Sequence, residues 1–139
     1  LLDGGKLSGI LLERTGAALV IGIGVNLAHH PDGAGRPPGS PPPISLAAAG
    51  LPVPTPLALL AALAPAFARW RGEWAAHGFA PVRAAWLAQA AGLGGRIVAR
   101  LGNESPEGWF AGLADDGALL LRLDDGGQRA IHAGEVFAL

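Results

Sequence analysis

The chain has 139 residues, a formal net charge of −1 and a hydrophobic fraction of 50%, which suits one ordinary domain, or part of a domain followed by a small module. It contains no cysteine, so disulfides, thiolate metal sites and a cysteine nucleophile are excluded. Its arginines are scattered singly and form no basic patch, so the composition does not indicate nucleic-acid binding.

Neither a membrane span nor a secretory signal is predicted. The longest nearly unbroken apolar run, residues 57–68, is shorter than the roughly 20 residues that a membrane-spanning helix needs. No basic segment precedes an apolar stretch at the N-terminus, so no signal peptide is indicated. Together with the lack of cysteine, these features predict a cytoplasmic protein that does not contact a membrane.

Residues 6–27 (KLSGILLERTGAALVIGIGVNL) predict two β-strands joined by a Thr-Gly turn, because Val, Ile and Leu fill both strands. Lys6 is the only lysine, and Gly22 and Gly24 are two residues apart, so the two glycines lie on one strand face. Such a cleared face beside a lone cation could hold a flat ligand with an anionic group. A plain core hairpin, with glycines at bulges and a solvated lysine, is the alternative interpretation.

Two segments of this hairpin carry a family resemblance. Residues 6–11 (KLSGIL) and residues 22–27 (GIGVNL) resemble the K-x-x-G-I-L and G-x-G-x-N motifs of biotin–protein ligases, in the same order and at a similar separation. The resemblance covers essentially the whole chain. It implies an α+β fold, in which residues 1–91 form the C-terminal part of a biotin/lipoate ligase-like catalytic domain, a mixed β-sheet covered by helices. Residues 92–139 would then form a small SH3-like β-barrel.

The resemblance also implies an activity and a site. The activity is ATP-dependent ligation of biotin, through biotinyl-5′-adenylate, to a lysine of the biotin carboxyl carrier domain of acetyl-CoA carboxylase or a related enzyme, with Mg²⁺ accompanying ATP. Lys6 would be the catalytic cation that contacts the biotin carboxylate and the phosphate. Gly9, Ile10 and Gly24 would border biotin together with Lys6, and Asn26 would face the nucleotide. A homodimer is left open, and no metal ligand is assigned.

Two other functions are kept beside this one. A lipoate–protein ligase or transferase would share the catalytic sheet, and a non-catalytic protein-binding module would use the C-terminal strands as its interaction surface. The chain starts with Leu1, and the family's phosphate-binding loop would precede Lys6. We therefore expect an incomplete fragment that is inactive by itself, and the sequence makes no prediction about an upstream DNA-binding domain.

Residues 28–43 (AHHPDGAGRPPGSPPP) are rich in proline and glycine and predict a long surface loop without regular structure. This loop is either a lid near the nucleotide or a tolerated insertion. His29, His30 and Asp32 lie close together in it, but a metal site needs further ligands, and no other cluster of His or Cys is present. We therefore predict a solvated loop without metal.

The middle of the chain predicts helices. Ser45 can cap a short helix over residues 46–49, and a second short helix is predicted over residues 81–91. Between them, Thr55 as N-cap with a proline after it predicts a helix that runs to about His77. One apolar face recurs along this helix, formed by Leu59, Leu63, Phe67, Trp70 and Trp74. We expect this face to be core rather than a base-stacking platform, and Pro65 within the helix to kink or break it.

After Leu93 the apolar pattern changes to period two, which is typical of half-buried strands. Five short strands are predicted, separated in two places by turns at residues 115–117 and 124–127, where Asp precedes Gly. This pattern is typical of a small, strongly bent barrel. The paired aspartates are interpreted as turn residues rather than as catalytic carboxylates, because loop tips stay hydrated.

Overall fold

A computed structural model describes all of residues 1–139. Two helices and seven strands follow one another along the chain. Their bounds are β1 Ser8–Thr15, β2 Ala18–Val25, α1 Pro56–His77, α2 Ala80–Leu87, β3 Arg96–Arg100, β4 Glu107–Leu113, β5 Leu119–Arg122, β6 Gln128–Ile131 and β7 Glu135–Ala138. The chain divides into two compact units, Leu1–Leu60 and Ala61–Leu139, and α1 begins in the first and ends in the second.

The first unit contains the predicted hairpin. β1 and β2 pair antiparallel without interruption from Ser8↔Val25 to Thr15↔Ala18, and Gly16 in the turn adopts a φ of 59°, a conformation that glycine reaches without a steric penalty. Because the register is continuous, the strand glycines do not mark bulges. This part of the alternative interpretation is wrong.

Both faces of the hairpin are exposed. No residue of β1 is even half-buried, and in β2 only Val25 is. The register places one apolar set on a single face, with Ile10 and Leu12 exposed to 68% and 59%. Its members are Ile10, Leu12, Leu19, Ile21, Ile23 and Val25.

The segment after β2 is irregular, as predicted, and its one expected helix is missing. Residues 46–50 form a turn instead. Oγ of Ser45 still accepts a hydrogen bond from the Ala48 N–H at 3.2 Å, and Gly50 ends the turn with a φ of 70°. The capping signals were correct, but only four residues separate the cap from the glycine, which is too few for a stable helix.

α1 has the predicted start and end. The Ala58 N–H donates to Oγ1 of Thr55 at 3.2 Å, and the helix continues through Pro65. It is therefore not broken, because the turns on both sides keep their own hydrogen bonds. The predicted core face is only half-buried at best, since α1 has no buried residue and Trp74 is 58% exposed.

The second unit contains a five-stranded antiparallel sheet with the order β6-β5-β4-β3-β7. All five predicted strands are confirmed. Alternating residues of these strands form the core, which consists of Ile97, Ala99, Phe110, Leu121 and Ile131. The first and last strands of the set, β3 and β7, pair with each other from Ile97↔Ala138 to Arg100↔Glu135. No pairing joins β6 to β7, so the hydrogen-bonded sheet is open.

α2 packs against β4 of this sheet. The rings of Trp86 and Phe110 meet edge to face with centroids 6.1 Å apart. Nε of Arg83 donates to the Leu113 carbonyl at 2.7 Å. The helix ends at Leu87, earlier than the predicted residue 91, because residues 88–89 form a turn instead.

The acidic turns have the predicted chemistry. Oδ1 of Asp116 accepts from the Ala118 N–H at 3.0 Å, and Oδ1 of Asp125 accepts from the Gly127 N–H at 2.8 Å. Asp124 instead forms an ion pair with Arg96, whose Nη1 is 2.8 Å from Oδ1. The hydrogen bond from Arg96 holds the pKa of Asp124 below its ordinary value. These aspartates therefore stabilise turns and strand edges.

Neither helix combines the length and the apolar character that crossing a membrane would require.

Candidate functional site

Lys6 lies just before β1 in an isolated parallel bridge with Pro43. Its N–H donates to the Pro42 carbonyl at 2.7 Å, and its carbonyl accepts from the Ile44 N–H at 3.2 Å. The residue opposite Lys6, Pro43, donates no hydrogen bond in such a bridge, because Lys6 bonds to the residues on either side of it. A proline therefore fits there without loss of a hydrogen bond. The Lys6 side chain is exposed and takes part in no salt bridge. Its ammonium group is therefore available to an anionic ligand.

The glycines create a patch of bare backbone on the hairpin. Gly9 lies directly opposite Gly24, and Leu11 lies opposite Gly22, so the three glycines share one face. A Cβ added at Gly9 would meet no atom within 4 Å, and one added at Gly24 would meet only the Gly9 carbonyl oxygen, at 4.0 Å. The face is open, and a flat ligand could approach the backbone closely.

Ile10 does not belong to this patch. It pairs with Ile23 on the opposite face of the hairpin, because neighbouring residues of a strand alternate in direction. The structure thus brings Gly9 and Gly24 together and separates the Ile10 side chain from them. Only the backbone of Ile10 borders the glycine patch.

Asn26 lies beside Lys6. Its backbone N–H donates to the Leu7 carbonyl at 2.9 Å. Its side-chain Nδ2 donates to the Ile44 carbonyl at 3.0 Å and to the Lys6 carbonyl at 3.3 Å. The side-chain amide has two N–H donors, and these two carbonyls use both. Its Oδ1 therefore remains as the atom that can meet a ligand.

The sequence did not reveal the partners of Lys6. Residues 42–44 end the proline-rich loop and lie far from Lys6 along the chain, yet they form its backbone bridge. A signal was present, because residues 40–42 each precede a proline, and a residue before proline favours extended backbone. Nothing in the residue pattern indicated which strand residues 42–44 would pair with.

Two of the three candidate metal ligands in the loop, His30 and Asp32, have separate hydrogen-bond partners. Nδ1 of His30 lies 3.1 Å from Oγ of Ser45, and Oδ1 of Asp32 accepts from the Ala34 N–H at 2.9 Å. Ser45 is 1% exposed and also donates to the Ala28 carbonyl at 3.4 Å. No group of three His, Cys, Asp or Glu residues could hold a metal ion. The loop start is therefore attached to the turn at Ser45.

Comparison with known proteins gives a consistent result. Residues 92–139 match the family described as Biotin protein ligase C terminal domain. The chain is 48% identical over 142 aligned positions to a biotin–[acetyl-CoA-carboxylase] ligase from Paracoccus denitrificans, which covers 99% of this chain and 59% of that protein. The resemblance that the two hairpin motifs predicted is thus confirmed, and this chain spans about 59% of the length of its curated relative.

Solved structures share the fold. The apo structure of a biotin protein ligase from Aquifex aeolicus superposes with a TM-score of 0.84, covering 99% of this chain and 61% of that one, at 18% identity. The structure of the same ligase in complex with biotin and ATP gives 0.83 over 99% of this chain and 58% of that one, also at 18% identity. The α+β character of the fold is therefore shown along the whole chain.

Proposed function

On the premise that this chain resembles biotin–protein ligases in sequence and in fold, we propose that the protein containing it ligates biotin to a lysine of a biotin carboxyl carrier domain. One observation carries the proposal. The chain is 48% identical along 99% of its length to a protein named as such a ligase. The geometry of the hairpin agrees with it, because the two motifs form the open glycine patch and the lysine bridge.

The reaction has two steps. The biotin carboxylate attacks the α-phosphate of ATP, which forms biotinyl-5′-adenylate and releases pyrophosphate. The amine of the carrier lysine then attacks the acyl carbon of this mixed anhydride, which forms the amide and releases AMP. Neither step needs a covalent bond to the ligase, so the protein contributes position and charge.

Lys6 supplies the charge in this proposal. A lysine ammonium is a compact cation on a flexible stem, so it can follow the negative charge from carboxylate to phosphate. Gly9 and Gly24 leave the backbone free for biotin, with the backbone of Ile10 beside them. Oδ1 of Asn26, the part of its amide that no intramolecular hydrogen bond uses, would accept a hydrogen bond from the nucleotide.

Mg²⁺ enters the proposal only as the companion of ATP. An ion that accompanies ATP is held mainly by phosphates and water. We assign no residue of this chain to the metal.

We also propose that residues 92–139 form an SH3-like domain and that residues 1–91 continue the catalytic domain. Two features support the bent sheet that such a domain needs. The first and last strands of the set pair with each other, and the register between β4 and β5 shifts between Phe110 and Gly112, as at a β-bulge that bends a sheet. The proposed protein partner is the carrier domain of acetyl-CoA carboxylase, and the proposed location is the cytoplasm.

The test uses the full-length protein. Incubation with biotin, ATP and a carrier domain should give a band on a streptavidin blot, and a carrier with its acceptor lysine changed to arginine should give none. Lipoylation of the carrier instead would make the protein a lipoate ligase or transferase. If neither modification occurs, a non-catalytic protein-binding module becomes the better interpretation.

A further inference from the structure

We propose that Asn26 is a positioning residue for Lys6, a role that deepens the proposed function and rests on it. Its side-chain amide donates one hydrogen bond to the Lys6 carbonyl and another to the Ile44 carbonyl. We call these two hydrogen bonds the Asn26 clamp. They connect three segments of the first unit, namely the end of β2, the approach to β1 and the end of the proline-rich loop.

Little else holds the Lys6 backbone. Toward the loop it has only the isolated bridge, made of the bonds to the Pro42 carbonyl and from the Ile44 N–H. Toward β2 the regular ladder starts at Ser8, and one further backbone bond, from the Asn26 N–H to the Leu7 carbonyl, extends it to the residue next to Lys6. The junction is also tight, because a Cβ added at the buried Gly5 would lie 2.6 Å from Cγ2 of Ile44. The clamp therefore lies where the lysine leaves the regular sheet.

The clamp requires an amide of this length. Asp has a similar shape but presents no donor, so its carboxylate would face two carbonyl oxygens. Ser has a single donor, and Gln is longer by a methylene group. Asp keeps an oxygen that could accept a hydrogen bond from a nucleotide. The Asn26→Asp change consequently removes the clamp and retains the contact proposed for Oδ1.

The clamp acts on the reaction through Lys6. The Lys6 side chain is exposed and has no salt-bridge partner, so its backbone determines where the ammonium group can reach. A displacement of about 1 Å of a catalytic group can cost about 100-fold in rate. We therefore expect loss of the clamp to slow adenylation rather than to weaken binding of either substrate.

A double-mutant cycle in the full-length protein tests this inference. Asn26→Asp should lower the single-turnover rate of biotinyl-adenylate formation about 10- to 100-fold, with the KM for ATP and for biotin each changed less than about threefold. Asn26→Ser, whose shorter side chain cannot reach the two carbonyls and adds no charge, should lower the rate by a similar factor. In a Lys6→Ala background, Asn26→Asp should change the rate less than about twofold, because residues that act through one another are not additive. Asn103→Asp, the same change at an exposed turn, is the matched control and should leave the rate unchanged.

Several outcomes would overturn the positioning role. Additive losses in the cycle would do so, as would a rise in the KM for ATP at an unchanged rate, and the proposed function would survive both. If the unsubstituted protein forms no adenylate, the proposed function itself fails. The clamp is then judged by amide hydrogen exchange at Ile44, whose N–H donates to the Lys6 carbonyl. Exchange should be faster in Asn26→Asp than in Asn103→Asp, and equal exchange would overturn the clamp.

Discussion

At the scale of single residues, the candidate site is arranged around one cation. Lys6 is its only lysine, and the structure places it between the end of the proline-rich loop and the glycine-cleared strands. The bare backbone of Gly9 and Gly24, the ammonium group of Lys6 and Oδ1 of Asn26 all belong to the same end of the hairpin. Such a site can neutralise an anion and orient a flat ligand.

Lys6→Ala in the full-length protein should lower biotinylation about 10²–10³-fold, or roughly 3–4 kcal/mol in activation free energy, because one preorganised charge is lost. Lys6→Arg should restore only part of the rate, since the planar guanidinium places its charge differently. Pre-steady-state adenylate formation measures the effect, and circular dichroism verifies the fold. A folded Lys6→Ala variant that forms adenylate at nearly the normal rate would make Lys6 a solvated residue at a strand end.

At the scale of elements, the two sheets differ in what stabilises them. β1 and β2 bury none of their side chains in this chain, whereas β3–β7 enclose a small core with α2 against β4. The centre of that core is Leu121 on β5, which is 0% exposed. The stability of the second unit should therefore depend on very few apolar side chains.

Leu121→Ala should lower the free energy of unfolding by about 2–5 kcal/mol, because it removes buried methyl groups and leaves a cavity. Leu139→Ala is the matched control, since that leucine is 64% exposed, and it should change stability by less than about 0.5 kcal/mol. Urea unfolding followed by tryptophan fluorescence reports on both. Equal effects of the two substitutions would contradict the assignment of Leu121 to the core.

At the scale of the whole molecule, one face of the hairpin, which contains Ile10, Leu12 and Ile21, exposes a continuous set of apolar side chains. Contiguous apolar surface of this kind seldom remains in contact with water in a stable protein. The hairpin face is therefore available for association with another apolar surface.

The 139-residue chain alone should therefore self-associate through this face. Leu12→Lys should weaken the association, because it places a charge at the centre of the patch. Leu57→Lys is the control: Leu57 is 75% exposed but lies outside the hairpin. Sedimentation velocity over a range of concentrations measures the effect. A monomeric unsubstituted chain, or equal effects of both substitutions, would contradict this prediction.

Local patterns in the sequence were sufficient to predict most elements. The hairpin with its Thr-Gly turn, the Thr55 cap of α1 and the five strands after Leu93 are all confirmed. These features depend on apolar periodicity, capping and turn chemistry, which act between residues that are close in the chain. The two motifs of the hairpin likewise predicted the resemblance to biotin–protein ligases that the comparisons confirmed.

Contacts between distant residues were decided only by the tertiary structure. The bridge from Lys6 to Pro43, the two acceptors of the Asn26 amide and the pairing of β3 with β7 have no local signal. Periodicity also could not predict that the apolar faces of the hairpin and of α1 stay exposed in this chain. An apolar pattern indicates which side chains a segment can bury, but it does not identify the surface that would cover them. Pro65 lies within an unbroken α1. The hydrogen bonds of the neighbouring turns stabilise the helix by more than the loss of the one bond that proline removes.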